Sequence, residues 1–106
     1  MSALHRLTGP EVYHFYAGAP VHMLLLDGKN GAIGEPVLGT HLAGGERPQL
    51  VVPAGVWQGS STTGGWSLIG TTMAPPYTDD MFTLGDRAAL TAAFPAAADR
   101  IAQLTR

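Results

Sequence analysis

The distribution of glycine and proline constrains this chain more than any other feature. The 106 residues hold 14 Gly and 8 Pro, and all of them except Pro95 lie in the first 85 positions. Gly permits positive φ, and Pro fixes φ while removing a backbone donor, so both punctuate turns. Turns this dense leave room only for short segments between them. Residues 86–106 differ: Pro95 is their one breaker and they carry eight Ala. The chain therefore reads as one domain over 1–106, with a turn-rich body over 1–85 and a helical tail over 86–106.

The segments between turns read as strands. Glu11–Tyr16 is rich in aromatic and β-branched residues, and Val21–Leu26 is apolar and closed by Asp27-Gly28 and Asn30-Gly31. Ile33–Leu38 is interrupted by Pro36 and reads as an irregular edge strand. Gln49–Val52 is closed by Pro53-Ala54-Gly55, and Val56–Gln58 runs into a glycine-rich turn at 59–65 that takes in Ser60 and Ser61. Trp66–Met73 ends at Pro75-Pro76. Short strands at near-regular spacing predict an all-β barrel or sandwich. In the tail, Asp86 suits the N-cap of a helix over Arg87–Ala93, and Pro95 suits the first turn of a second helix. Leu90, Phe94, Ile101 and Leu104 form an apolar stripe, expected to cover one end of the barrel.

Composition removes several function classes. A hydrophobic share of 45% is not that of a disordered chain, and 13% charged residues is half the ~25% usual for soluble domains. The absence of Cys excludes disulfides, a thiol nucleophile, Cys-based zinc and iron–sulfur clusters. A net charge of −2 gives no electrostatic footprint for nucleic acid. The apolar run Met23–Leu26 falls far short of the ~20 residues of a membrane helix, and the first residues lack an apolar signal core. The expectation is a cytoplasmic protein with neither membrane nor nucleic acid as partner. No glycine-rich phosphate loop and no HExxH occur, and Lys29, the only lysine, sits in a turn.

Two segments carry more. In the first, His5-Arg6-Leu7 is followed by Glu11, His14 and Gly18; in the second, Pro53-Ala54-Gly55-Val56-Trp57-Gln58 follows Glu46-Arg47-Pro48-Gln49. Glu11 and Gly18 match the E-x6-G end of the first cupin motif. Pro53, Gly55 and Gln58 match the P-x-G-x-x-H core of the second, with Gln in place of His. With the WSL.G..MAP and FP…I..LT stretches, these resemble one small, largely uncharacterised family of microbial cupins, over nearly the whole chain. The resemblance implies a cupin-like jelly-roll β-barrel with a short C-terminal two-helix cover. Relatives begin upstream of HRL, so it also implies a missing edge strand, either supplied by a partner subunit or left exposed.

Metal-binding cupins supply two His and a Glu from the first motif and a His from the second. Here the His5–Glu11 interval is longer, no second His lies two residues from His5, and Gln58 replaces the last His. An amide is a poor transition-metal ligand. The expectation is no cofactor; the weaker alternative is one divalent transition metal on His5, Glu11 and Gln58. Strand alternation puts Glu11, Tyr13 and Phe15 on one face and Val12, His14 and Tyr16 on the other. With Glu11 facing the interior, as the motif implies, His14 points outward. His22 and His41 are also expected outside the pocket.

The metal-free reading resembles the cupin epimerases that use His and Tyr on nucleotide-linked sugars. It makes His5 the acid or base, Glu11 its orienter or partner and Tyr13 a second proton donor. Phe15, Gln49, Trp57, Gln58 and Trp66 would bind the ligand, and Asp79-Asp80 either cap the pocket mouth or form a solvated turn. The expected function is that of an isomerase, an epimerase or a natural-product tailoring enzyme. It would act on a small polar or ring-shaped ligand, in a homodimer. The alternatives are a non-catalytic ligand-binding cupin and a metal-dependent cupin oxygenase.

Overall fold

The computed structural model describes residues 1–106. It has nine strands: β1 (Ser2–Leu7), β2 (Glu11–Gly18), β3 (Val21–Leu26), β4 (Ile33–Gly34), β5 (Val37–Leu38), β6 (Gln49–Val52), β7 (Trp57–Thr62), β8 (Ser67–Met73) and β9 (Phe82–Leu84). Two helices follow, α1 (Arg87–Ala93) and α2 (Ala98–Gln103). The strands form two antiparallel sheets. The larger runs β4-β3-β7-β1-β9, with β5 also paired to β3; the smaller runs β6-β2-β8. This is the expected jelly-roll cupin architecture.

Alternation along each strand sorts the side chains into two cores. Between the sheets lie Tyr13, Val21, Met23, Leu38, Val52 and Val56, with Phe15, Leu25, Leu50 and Ile69 against them. On the other side of the larger sheet, Leu4, Leu24 and Leu26 meet Leu90, Phe94, Ala97, Ile101 and Leu104 of the tail. The tail therefore covers the outer face of a sheet and not one end of the barrel. The physical reason lies in β3, where Leu24 and Leu26 give the outward face its own apolar stripe. Each fully buried aliphatic side chain there contributes roughly 1.5–3 kcal/mol. Asp86 caps α1 as expected, accepting a hydrogen bond from the Ala89 N–H at 2.9 Å.

Three other expectations change. Ser60 and Ser61 belong to β7, which pairs with β3 without a break from Val21–Thr62 to Leu26–Trp57. Gly59 is there for close approach: a Cβ would sit 3.1 Å from the Leu4 side chain and 3.2 Å from that of Leu104. The segment at 33–38 divides around Pro36 into β4 and β5, both paired to β3. Finally, β1 and β9 were not anticipated as a pair. They align at His5–Leu84, Arg6–Thr83 and Leu7–Phe82, so β9 covers that part of the β1 edge.

Candidate functional site

The site begins with an irregularity in β1. Its pairing to β7 shifts register between Ser2 and His5. Such a bulge releases backbone groups from the ladder and re-aims side chains. Here the Leu4 N–H donates to the Leu104 carbonyl at 2.7 Å, which ties the strand to the end of the helical cover. The Ala3 carbonyl lies 2.7 Å from His5 Nδ1. A carbonyl can only accept, so Nδ1 is the donor here, and in the neutral ring the lone pair is on Nε2. The half-buried His5 ring stacks on Phe82 of β9, with centroids 5.2 Å apart.

His5 and Glu11 open onto the same cleft of about 560 Å³ at one mouth of the barrel. Leu7, Thr71, Met73, Pro76, Tyr77 and Phe82 complete its wall. Glu11 Oε1 is buried and has no hydrogen-bond partner within the chain. No hydrogen bond or ion pair joins Glu11 to His5. The group bonded to the His5 ring is therefore the Ala3 carbonyl, while Glu11, expected as its orienter or partner, shares the cleft wall with it. Both groups are left facing the cleft.

Beneath the wall, the Tyr13 hydroxyl donates to Gln58 Oε1. Tyr13 is 5% exposed and Gln58 1%, and neither lines the cleft. Burial pushes the Tyr13 phenol well above its ordinary range, and the neighbouring Glu11 carboxylate adds to the shift. Tyr13 thus keeps its proton and spends it on Gln58. That explains why the Glu11 oxygen beside it is left without a donor. The sequence reading makes Tyr13 a second proton donor; the structure places its hydroxyl on Gln58, off the cleft wall. Phe15 packs in the core between the sheets, off the cleft wall.

The remaining ligand-binding candidates lie elsewhere. Gln49 pairs across strands with His14, and its side chain reaches His14 Nδ1 at 3.4 Å on the exposed face of the smaller sheet. Trp57 packs against the helix-side core and carries the Arg6 guanidinium 4.7 Å from its ring centre. Trp66 is 61% exposed, and its ring covers Gly18, which has φ +88°. Parity explains the first case: Leu50 faces inward opposite Tyr13, so Gln49 cannot. His14 and His22 point outward, and His41 is exposed, as expected; His22 pairs with Glu35 at 3.2 Å. Asp79 and Asp80 sit in a short exposed turn between Tyr77 and Phe82 of the cleft wall. Sequence reasoning missed Tyr77, Phe82 and Met73. Their only signal was a position flanking Pro75-Pro76.

The residues present do not make a transition-metal set. His5 Nε2 and the Glu11 carboxylate are two conventional donors, and the Gln58 oxygen is already taken by Tyr13. No group of three or more His, Asp or Glu side chains comes together anywhere in the chain. Catalytic metal sites ordinarily use three protein ligands. What the site offers is an imidazole base of fixed tautomer and an unsatisfied carboxylate across an apolar cleft.

Comparison with known proteins agrees with the fold. A crystal structure of a protein from Shewanella oneidensis is 37% identical, with a TM-score of 0.91 over 99% of this chain and 66% of that one. The chain thus spans just under two thirds of that protein. A structure titled as a hypothetical protein from Leishmania major is 24% identical, with a TM-score of 0.86 over 98% of this chain and 68% of that one, and shows the fold alone. No curated protein matches the chain. A family model described as cupin superfamily (DUF985) matches residues 1–85. The match takes in every strand, including the bulged β1 that carries His5, and the chain belongs to this DUF985 family of the cupin superfamily.

Proposed function

We propose that this cupin binds a small polar, ring-bearing molecule in the His5–Glu11 cleft and isomerises it by metal-independent proton transfer. One observation carries the reading. The Ala3 carbonyl accepts from Nδ1, so in the neutral ring Nε2 is the basic nitrogen, and His5 shares the cleft wall with Glu11. In the step envisaged, Nε2 takes a proton from a C–H next to a carbonyl. The electron pair passes into that carbonyl, and His5, its new proton open to exchange with solvent, returns a proton on the same face to a carbon conjugated with that carbonyl. Product and substrate share one formula, so no co-reactant is needed. Glu11 accepts a hydrogen bond from the ligand and holds it against His5. Tyr13, bonded to Gln58, lies beside Glu11 beneath the wall.

The test is a fragment screen by ligand-observed NMR, followed by incubation of the hits in deuterium oxide. Hits that bind the cleft and exchange a C–H with solvent in the parent chain, but not in His5→Ala, support the proposal. Tight hits with no exchange indicate a non-catalytic binding cupin. A set of hits whose binding is indifferent to both His5→Ala and Glu11→Ala would refute the site.

A further inference from the structure

The charges around the cleft narrow the class of ligand. None of the six Lys and Arg residues lines it. Arg6 is stacked on Trp57, Arg87 is bonded to Thr105, and Arg100 is bonded to Ser61 and the His22 carbonyl. Arg106 lies in the adjoining groove, on the other side of His5 and Phe82. Glu11 is the one Asp, Glu, Lys or Arg side chain on the cleft wall, and Asp79 and Asp80 lie in the turn between Tyr77 and Phe82 of that wall. A phosphate or nucleotide would meet negative charge and no partner. Sites for such groups are built from Arg, Lys or helix N-termini.

The opposite charge is met well. Glu11 Oε1 is buried with no donor, a costly state for a carboxylate. The Glu11 carboxylate also lines the cleft, where a ligand N–H can bond to it, and a charged N–H does so with the stronger, charge-assisted bond. Tyr77 and Phe82 supply aromatic rings on the same wall, and such rings favour a nearby cation. Leu7, Met73 and Pro76 give the rest of the wall an apolar character.

We infer that the cleft selects a ring-bearing amine, its ammonium group on Glu11 and its ring against Phe82 and Tyr77, and that it rejects phosphorylated and carboxylate ligands. This rests on the assignment of the cleft as the ligand site, made above, and replaces the nucleotide-linked sugar among its candidates.

The test titrates the full chain at pH 8 with benzylamine, benzyl alcohol, phenylacetate and uridine diphosphate, following the Tyr77 and Phe82 resonances by NMR. Benzylamine is expected to bind at least about tenfold more tightly than benzyl alcohol, with no saturable shift for the two anions. Glu11→Gln is expected to lower benzylamine affinity to that of the alcohol. Three results would each overturn the amine assignment while leaving the cleft as a ligand site. They are equal binding of amine and alcohol, binding of either anion as tight as the amine, and full benzylamine affinity in a folded Glu11→Gln chain. If none of the four probes moves the cleft resonances, the site assignment fails along with the inference. Should Glu11→Gln not fold, the ranking on the parent chain decides.

Discussion

Replacing Tyr13 by Phe removes one hydroxyl and leaves Gln58, 1% exposed, with an unmet carbonyl oxygen. Orphaning a buried neutral acceptor costs about 1–3 kcal/mol. The reverse deletion, Gln58→Leu, is not symmetrical. The freed Tyr13 hydroxyl lies within hydrogen-bonding reach of the Glu11 carboxylate, whose Oε1 has no partner. It can turn to that oxygen, so the predicted cost is below about 1 kcal/mol. The pair Tyr13→Phe with Gln58→Leu removes both partners and should recover most of the loss seen in Tyr13→Phe alone. For a domain of this size, a loss of about 2 kcal/mol lowers Tm by roughly 8–10 °C. Urea unfolding of the four chains, followed by circular dichroism, measures the cycle. Two equal single-variant costs, or a double variant as unstable as the sum of the singles, would contradict the network. The same turn of the hydroxyl links structure to function. In Gln58→Leu the Glu11 oxygen is satisfied from within, so benzylamine affinity should fall without any change in the cleft wall.

Four further outcomes follow from the same geometry. The Tyr13 pKa is raised on folding, so its contribution is fully present below the unfolded value of about 10 and is lost as pH climbs above it. Tm measured from pH 8 to 11.5 should fall more steeply in the parent chain than in Tyr13→Phe, and parallel curves would contradict this. Ile101→Ala should cost about 2–5 kcal/mol in urea unfolding, because Ile101 is fully buried between α2 and the larger sheet; a loss under about 1 kcal/mol would mean the helices do not cover that face. Gly18→Ala should destabilise by more than about 2 kcal/mol, since the position has φ +88° and a Cβ would meet the Trp66 ring at 2.6 Å; a neutral effect would displace Trp66 from there. The outer face of the smaller sheet exposes Tyr16, Val51 and Leu68 beside His14 and Gln49, with no formally charged side chain to repel a second copy. We propose this face as the surface on which the expected homodimer would form. Sedimentation velocity should show a dimer that Val51→Lys with Leu68→Lys converts to monomer, and a dimer unmoved by that pair would place the interface elsewhere.

Much of the fold was legible because short-range rules carried it. The alternation of Glu11, Tyr13 and Phe15 set the inward face of β2, and Asp86 and Pro95 marked the two helices. The errors share one cause: a property set across strands. Gly59 looked like a turn residue, yet it is the thin point of β7 where Leu4 and Leu104 approach. Gln49 was taken for a pocket residue because its motif was read without the register that pairs it to His14. Trp57 and Trp66 were read by type, and their places depend on Arg6 and Gly18. The orienter of His5 is a backbone carbonyl freed by a bulge, and no side-chain pattern encodes it. Phe82 reaches the cleft through β9, whose three residues are too few to give a periodic signal.

The account turns on the state of one imidazole. Long-range ¹⁵N–¹H NMR of the histidine side chains reads that state directly. In its neutral form His5 is predicted to hold the proton on Nδ1, with Nε2 the bare nitrogen and shifting when benzylamine fills the cleft. A His5 ring protonated on Nε2, or one whose nitrogens ignore every cleft ligand, would contradict it.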